Sequence, residues 1–242
     1  MRINIHAGHN ADGRTACGAI GFIRESTEAR RVKDTAIGML RQLGHTVYDC
    51  TVDDAAGVSD NLRQIVAKCN AHDVDLDVSI HFNSGAKDVA GNGKTTGTEA
   101  YVYNAASKAE GYAERVCVAI AGLGFKSRGV KYSTGLYVLR NTKSPAMLVE
   151  CCFVDDKDDV QLYDCQAMAE AIVYGITGQR VQAAEKHPDA NQELVSPGEE
   201  TVVGDKKQLY RVQVGAYAVK GNADAALKKL KAAGFDAVIV KA

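Results

Sequence analysis

Hydrophobic and polar positions alternate in two different rhythms along the first 178 residues. "RINIHAG", "TVYDC", "DLDVSIHFN" and "GTEAYVYN" are short apolar or alternating runs, which predict strands. Between them, "STEARRVKDTAIGMLRQLGH" places Val32, Ala36, Ile37, Leu40 and Leu43 at helical spacing before Gly44. "SDNLRQIVAKCNAH" opens on Ser or Asp capping residues and carries Leu62, Ile65, Val66 and Cys69 on one face. "SKAEGYAERVCVAIAGLG" and the closing "CQAMAEAIVYGITG" predict two further helices, and "GLYVLRN" and "PAMLVECCFV" two further short strands. Repeated strand–helix–strand units predict an α/β fold, a mostly parallel twisted sheet with helices on both faces.

The pattern changes after residue 178. Residues 179–207 are polar, hold two of the three prolines and show no period, which predicts a linker. Residues 208–242 return to order as a strand, a turn, an amphipathic helix and a strand, a compact β-α-β unit that buries little surface alone. The expected division is therefore a domain of 1–178, a linker of 179–207 and a small unit of 208–242.

Composition narrows the function classes. Hydrophobic residues make up 46% of the 242, enough for a full core, and a net charge of −1 argues against a nucleic-acid or membrane-surface binder. No apolar run approaches the roughly 18 residues of a membrane span. The N-terminus is patterned as a strand, without the apolar core of a signal peptide, so synthesis in the cytoplasm is expected. Seven cysteines include no C-x-x-C pair, which fits reduced, packed thiols rather than a thiolate metal site. Alternation along "LVECC" would set Cys152 on the same strand face as Glu150. "AGNGKTTG" ends like a phosphate-binding loop, but Asp88 stands where the loop needs its first glycine, so a surface loop is expected.

The chemistry gathers at strand ends. His6 and His9 lie at the end of the first strand and His81 at the end of "DLDVSIHFN"; Glu25 and Glu28 flank the start of the first long helix, and Glu150 ends an apolar strand. Functional crevices of parallel sheets lie at strand ends, and two His with one Glu is a frequent zinc-hydrolase ligand set. An acid on the strand of Glu150 is costly to bury unless paired or used. Spacing alone leaves His6 against His9, and Glu25 against Glu28, open.

"INIHAGHN", "VSIHFNS", "GTEAYVY" and "PAMLVECCFVDD" together resemble the zinc-dependent N-acetylmuramoyl-L-alanine amidases of catalytic type 3 over about residues 1–177. The resemblance implies a Zn2+ ion held by His9, Glu28 and His81, with Glu150 as the catalytic acid/base. It implies hydrolysis of the amide between the lactyl group of N-acetylmuramic acid and L-alanine of the stem peptide, without a covalent intermediate. His6 stands where that family carries an acid, and is read as a supporting residue. Asn83, Glu99 and Arg140 are candidates for contacting substrate at the rim.

The tail "VQVGAY", followed by an Ala/Leu/Lys helix and "AGFDAVIV", is similar to the sporulation-related (SPOR) repeats, which bind peptidoglycan. Only one β-α-β half of that repeat is visible, which implies that two chains pair their halves in a homodimer. The whole then looks like an endolysin, a bacterial wall hydrolase released by a holin; a peptidase cutting within the stem, or a wall-binding protein without activity, is the alternative.

Overall fold

The computed structural model describes residues 1–181 and, beyond them, the single helical position Leu227. The chain divides into compact units of Met1–His187 and Pro188–Ala242. Apart from Leu227, the expected β-α-β unit of 208–242 lies outside the described residues, as do all but the first three residues of the expected linker.

The first unit has the element order β1 (Arg2–Ala7), α1 (Glu25–Gln42), β2 (Thr46–Asp49), α2 (Val58–Asn70), β3 (Leu76–Asn83), β4 (Thr98–Val102), α3 (Glu110–Ala121), β5 (Ser127–Tyr132), α4 (Tyr137–Asn141), β6 (Ala146–Phe153), α5 (Lys157–Leu162) and α6 (Cys165–Thr177). The six strands form one sheet in the order β2-β1-β3-β6-β4-β5. Every neighbouring pair is parallel except β4 with β6. The expected mostly parallel α/β sheet is thus present, with one antiparallel seam beside β6.

Each sheet face has its own core, because side chains alternate along a strand. Ile3, Ile5, Val78, Ile80, Met147 and Val149 join the larger core under α1, α3 and α6. Leu148 and Ala146 face the other way, packing with Ile65 and Cys69 of α2 and Val138 and Leu139 of α4. The second face also carries the polar groups: Asn4, His6, Asp77, Ser79 and Glu99 are all buried.

Two local expectations change, and one strand appears where the pattern predicted none. "GLYVLRN" is not a strand: Tyr137–Asn141 is a short helix, closed by Asn141 Nδ2 and Thr142 Oγ1 donating to the carbonyls of Tyr137 and Val138. Residues 127–132, too polar and half-exposed to show strand alternation, form the edge strand β5. Cys152 does not share the face of Glu150. The β3–β6 register runs His81↔Glu150 and then Asn83↔Phe153, so β6 carries an extra residue there. That bulge turns Cys152 into the larger core beside Cys151, both fully buried. Burial pushes both thiols well above the ordinary cysteine range.

Candidate metal centre

Three side chains from three elements converge at the carboxyl ends of β1 and β3. The ligand atoms of His9, Glu25 and His81 all lie within 4.8 Å of one another, a grouping able to hold a metal ion. Glu25 Oε1 stands 3.2 Å from His9 Nε2 and 2.9 Å from His81 Nδ1. Two ligand atoms each about 2.0–2.1 Å from a tetrahedral ion stand about 3.3 Å apart, so these separations suit one.

The local chain is shaped around the three. His9 adopts a left-handed backbone, φ 62°, as the chain leaves β1. Arg30 of α1 anchors that turn by donating from Nη2 to the His9 carbonyl at 3.0 Å. Buried Asn10 pins the next residue, donating to the carbonyls of Thr15 and Ala55 and accepting from Asn61 Nδ2. Gly8 is required beside it: a Cβ there would lie 2.0 Å from His81 Cε1. Gly18, at φ +83°, leaves room for the Glu25 carboxylate in the same way.

Glu25 is the first residue of α1, placed by a tight turn in which Ile20 bridges Arg24 and the Glu25 amide donates to the Ala19 carbonyl. Its carboxylate accepts from the backbone amides of Ala19 and Phe82 as well as from the histidines. Burial opposes ionisation of Glu25, but the hydrogen bonds and charges of His81 and His9 outweigh it and hold the carboxyl well below the usual range. Burial pulls His81 down in turn, and Glu25 and Glu150 outweigh that and raise it.

Glu28, expected as the acidic ligand, is not part of this group. It sits one turn further along α1, where its carboxylate accepts from Arg31 Nη1 at 2.8 and 3.0 Å and from the Tyr163 hydroxyl at 2.9 Å. Those bonds point it toward the start of α6. His6 is also apart: among the described residues its side chain hydrogen-bonds the Ala7 carbonyl, 3.4 Å from Nδ1. Burial, with the charge of His81, lowers its pKa to about 3, so it is neutral.

Glu150 stands beside the group. It pairs with His81 across β3–β6 and with Glu99 across β4–β6. Its Oε2 is buried and without a hydrogen-bond partner. Burial, partly offset by His81, pushes its carboxyl up to about 7. An orphaned carboxylate oxygen of that basicity, beside a metal-ligand group, suits the acceptance and return of a proton.

The expected rim residues divide. Asn83 donates from Nδ2 to Glu99 Oε1 at 2.9 Å. Glu99 is buried and saturated, since Oε1 also accepts from the Tyr101 hydroxyl at 2.8 Å while Oε2 accepts from Arg128 Nε and Lys131 Nζ. Arg140, exposed, lies over the Tyr137 ring, 5.9 Å from its centroid, and has no contact with the three-residue group among the described residues. Arg128, Lys131 and Tyr101 had no sequence signal. The β4–β5 register gains a residue on β5, with Gly129 at φ +74°, and that bulge turns Arg128 and Lys131 to the same side.

The loop after β3, residues 84–97, is fastened by "DDKDD". Asp155 accepts from the amides of Gly85, Ala86 and Lys87, Asp158 from Asn92, Gly93 and Lys94, Asp156 from Thr96 and Asp159 from Gly97. The loop that ends like a phosphate cradle thus spends these amides on its own chain. Asp88, Asp156 and Asp158 approach one another as a second acidic group, but Asp156 and Asp158 are already engaged by amides.

Comparison with known proteins places this geometry in context. The family described as N-acetylmuramoyl-L-alanine amidase matches residues 3–178, and the SPOR domain family matches residues 182–241. The second match begins inside the stretch whose polarity suggests a linker. An uncharacterized protein of Clostridium perfringens is 37% identical over 164 residues, 67% of this chain and 47% of its own length. The N-acetylmuramoyl-L-alanine amidase CwlM of Bacillus licheniformis is 29% identical over 182 residues, 74% of this chain and 62% of that protein. The solved catalytic domain of the CD27L endolysin targeting Clostridia difficile superposes with a TM-score of 0.66 at 25% identity, covering 75% of this chain and 99% of that domain. The chain spans about half the length of the first of these curated relatives.

Proposed function

We propose, from the premise that the chain belongs to the N-acetylmuramoyl-L-alanine amidase family by its match over residues 3–178, that it hydrolyses peptidoglycan between the lactyl group of N-acetylmuramic acid and L-alanine of the stem peptide. The observation that carries this reading is the convergence of His9, Glu25 and His81 within 4.8 Å, with the unpartnered Oε2 of Glu150 on the strand beside them.

Two imidazoles and one carboxylate fit Zn2+ by ligand type and by separation, and they leave a fourth position for water or substrate. In this reading His9, Glu25 and His81 hold the ion, Glu25 replacing Glu28 as the acidic ligand. When bound, zinc would polarise the scissile carbonyl and make a water acidic enough to lose a proton near neutrality. Glu150 receives that proton as the water oxygen bonds to the carbonyl carbon. It delivers the proton to the departing amino nitrogen as the C–N bond breaks, leaving a lactyl carboxylate and a free L-alanine amino group. Glu25, through the amides of Ala19 and Phe82, fixes the position of the histidine pair. Cys151 and Cys152 take no part, being sealed in the core.

The family match over residues 182–241 supports wall binding by the tail. Pairing of two chains in a homodimer is inferred from sequence alone, from the one β-α-β half read in residues 208–242. The likeness to an endolysin catalytic domain supports action on the wall after release from a producing cell. No helix among the described residues is long and apolar enough to cross a membrane.

Clearing of purified cell walls, followed by turbidity, tests the metal dependence. The reaction should stop with a chelator and return with Zn2+ in the wild type but not in His81→Ala. Clearing that survives exhaustive chelation contradicts the zinc reading. Light scattering of the full chain at micromolar concentration should give twice the 25.8 kDa chain mass, and a single chain mass contradicts the homodimer.

A further inference from the structure

The buried Glu99 carboxylate sits directly opposite Glu150, on the strand face that carries the candidate centre. Directly opposed residues of an antiparallel pair have Cβ atoms about 4.5–5.5 Å apart. Tyr101 and Asn83 already donate to one Glu99 oxygen, and Arg128 and Lys131 both fall on the other. Two cations against one carboxylate leave a net positive charge on the Glu99 cluster. Glu99 is 2% exposed, yet the side chains of Arg128 and Lys131 are 31% and 37% exposed, so both remain partly open to solvent.

Satisfying Glu99 does not account for Arg128. It meets Glu99 through Nε, and neither Nη1 nor Nη2 has a hydrogen-bond partner among the described residues. The guanidinium is nevertheless oriented: it lies over the Phe153 ring, 5.1 Å from the centroid, and Lys131 lies over Tyr101 at 5.8 Å. A guanidinium held by one edge, with its outer nitrogens open, offers the fork that pairs with a carboxylate.

We propose that Arg128 and Lys131, braced by Glu99, bind a carboxylate of the stem peptide just beyond the scissile bond, and so make the protein selective for stems whose second residue keeps its free carboxyl over stems in which it is a carboxamide. The proposal rests on the amidase reading for the placement of substrate. Two residues of extended chain span at most about 7 Å, which is the reach from a carbonyl beside Glu150 to a carboxyl on the second residue.

The test uses two muramoyl peptides that differ only at the second residue, carboxylate or carboxamide. The wild type should favour the carboxylate by roughly 10- to 100-fold in kcat/KM, the range for a hydrogen bond to a charged group. Arg128→Gln should bring that ratio close to one, chiefly by raising KM for the carboxylate peptide. Lys131→Met, at the more exposed position and with Arg128 still on Glu99, should lower the ratio without threatening the fold. Calorimetric binding of both peptides to Glu150→Gln reads the same preference without turnover. If neither peptide is cleaved but the Glu150→Gln chain still prefers the carboxylate, and loses that preference when Arg128→Gln is added, the amidase reading fails and the carboxylate site stands. A wild type that cleaves both peptides equally, or a preference that survives Arg128→Gln and Lys131→Met, overturns the proposal.

Discussion

Replacing Glu25 and Glu28 one at a time separates two acids that lie one helical turn apart. Glu25 touches both histidines and two backbone amides, whereas Glu28 touches Arg31 and Tyr163. Glu28→Gln weakens one bond to a buried-side tyrosine hydroxyl and one pair with Arg31, whose side chain is 60% exposed and therefore contributes little. The loss should be about 1–2 kcal/mol, or a fall in Tm of roughly 2–8 °C for a unit of this size, with zinc content unchanged. Glu25→Ala removes one of the three proposed ligands. Changes to supporting groups around a bound metal already cost about 10- to 100-fold in affinity, so direct loss of a ligand should exceed that and leave the dialysed protein with little zinc. Metal content by atomic absorption after dialysis, read beside a thermal melt, decides the matter. Retained zinc in Glu25→Ala together with lost zinc in Glu28→Gln would refute the assignment.

Other changes reach the same centre by different routes. Gly8→Ala puts a Cβ 2.0 Å from His81 Cε1, so it should abolish zinc binding and wall clearing with the protein still folded by circular dichroism; normal zinc content would contradict it. His6 is held neutral, its pKa lowered to about 3 by burial, while the unfolded chain protonates it near 6.5. The unfolded state thus binds more protons below 6.5, and metal-free protein should lose up to about 1.4 kcal/mol per pH unit between pH 6.5 and 3 through this group. Urea titrations across that range should show a shallower loss in His6→Asn, and an equal slope would remove His6 as the cause. Of seven cysteines only Cys17 and Cys165 are not buried, so a disulfide reagent should label two thiols in the native protein and seven after denaturation; rapid labelling of Cys151 or Cys152 would contradict their packing.

The sheet and its long helices were legible because their apolar positions keep one period over many residues. The strands of Ile3, Val78 and Val149 and the helices of Ala36 and Ile172 are where the pattern places them. What escaped the pattern did so for local reasons. A bulge shifts a strand by one residue and reverses every face after it, and two such shifts moved Cys152 inward and brought Arg128 and Lys131 together on Glu99. Residues 137–141 are too few for a period to separate helix from strand. His9, His81 and Glu150 carried a signal because polar groups at the ends of apolar strands are conspicuous. Glu25 and Glu28 share one helix and one character. Only the turn from Ala19 to Arg24, fixed by a bridge between Ile20 and Arg24, determines which of them meets the histidines.

The central claim is the bond that is cut, and mass spectrometry of the soluble products from purified peptidoglycan tests it most directly. The wild type should release stem peptides that begin with a free L-alanine amino group, and neither Glu150→Ala nor chelated protein should release them. New amino groups elsewhere in the stem, or no products from a chain that still binds the wall, would contradict the account.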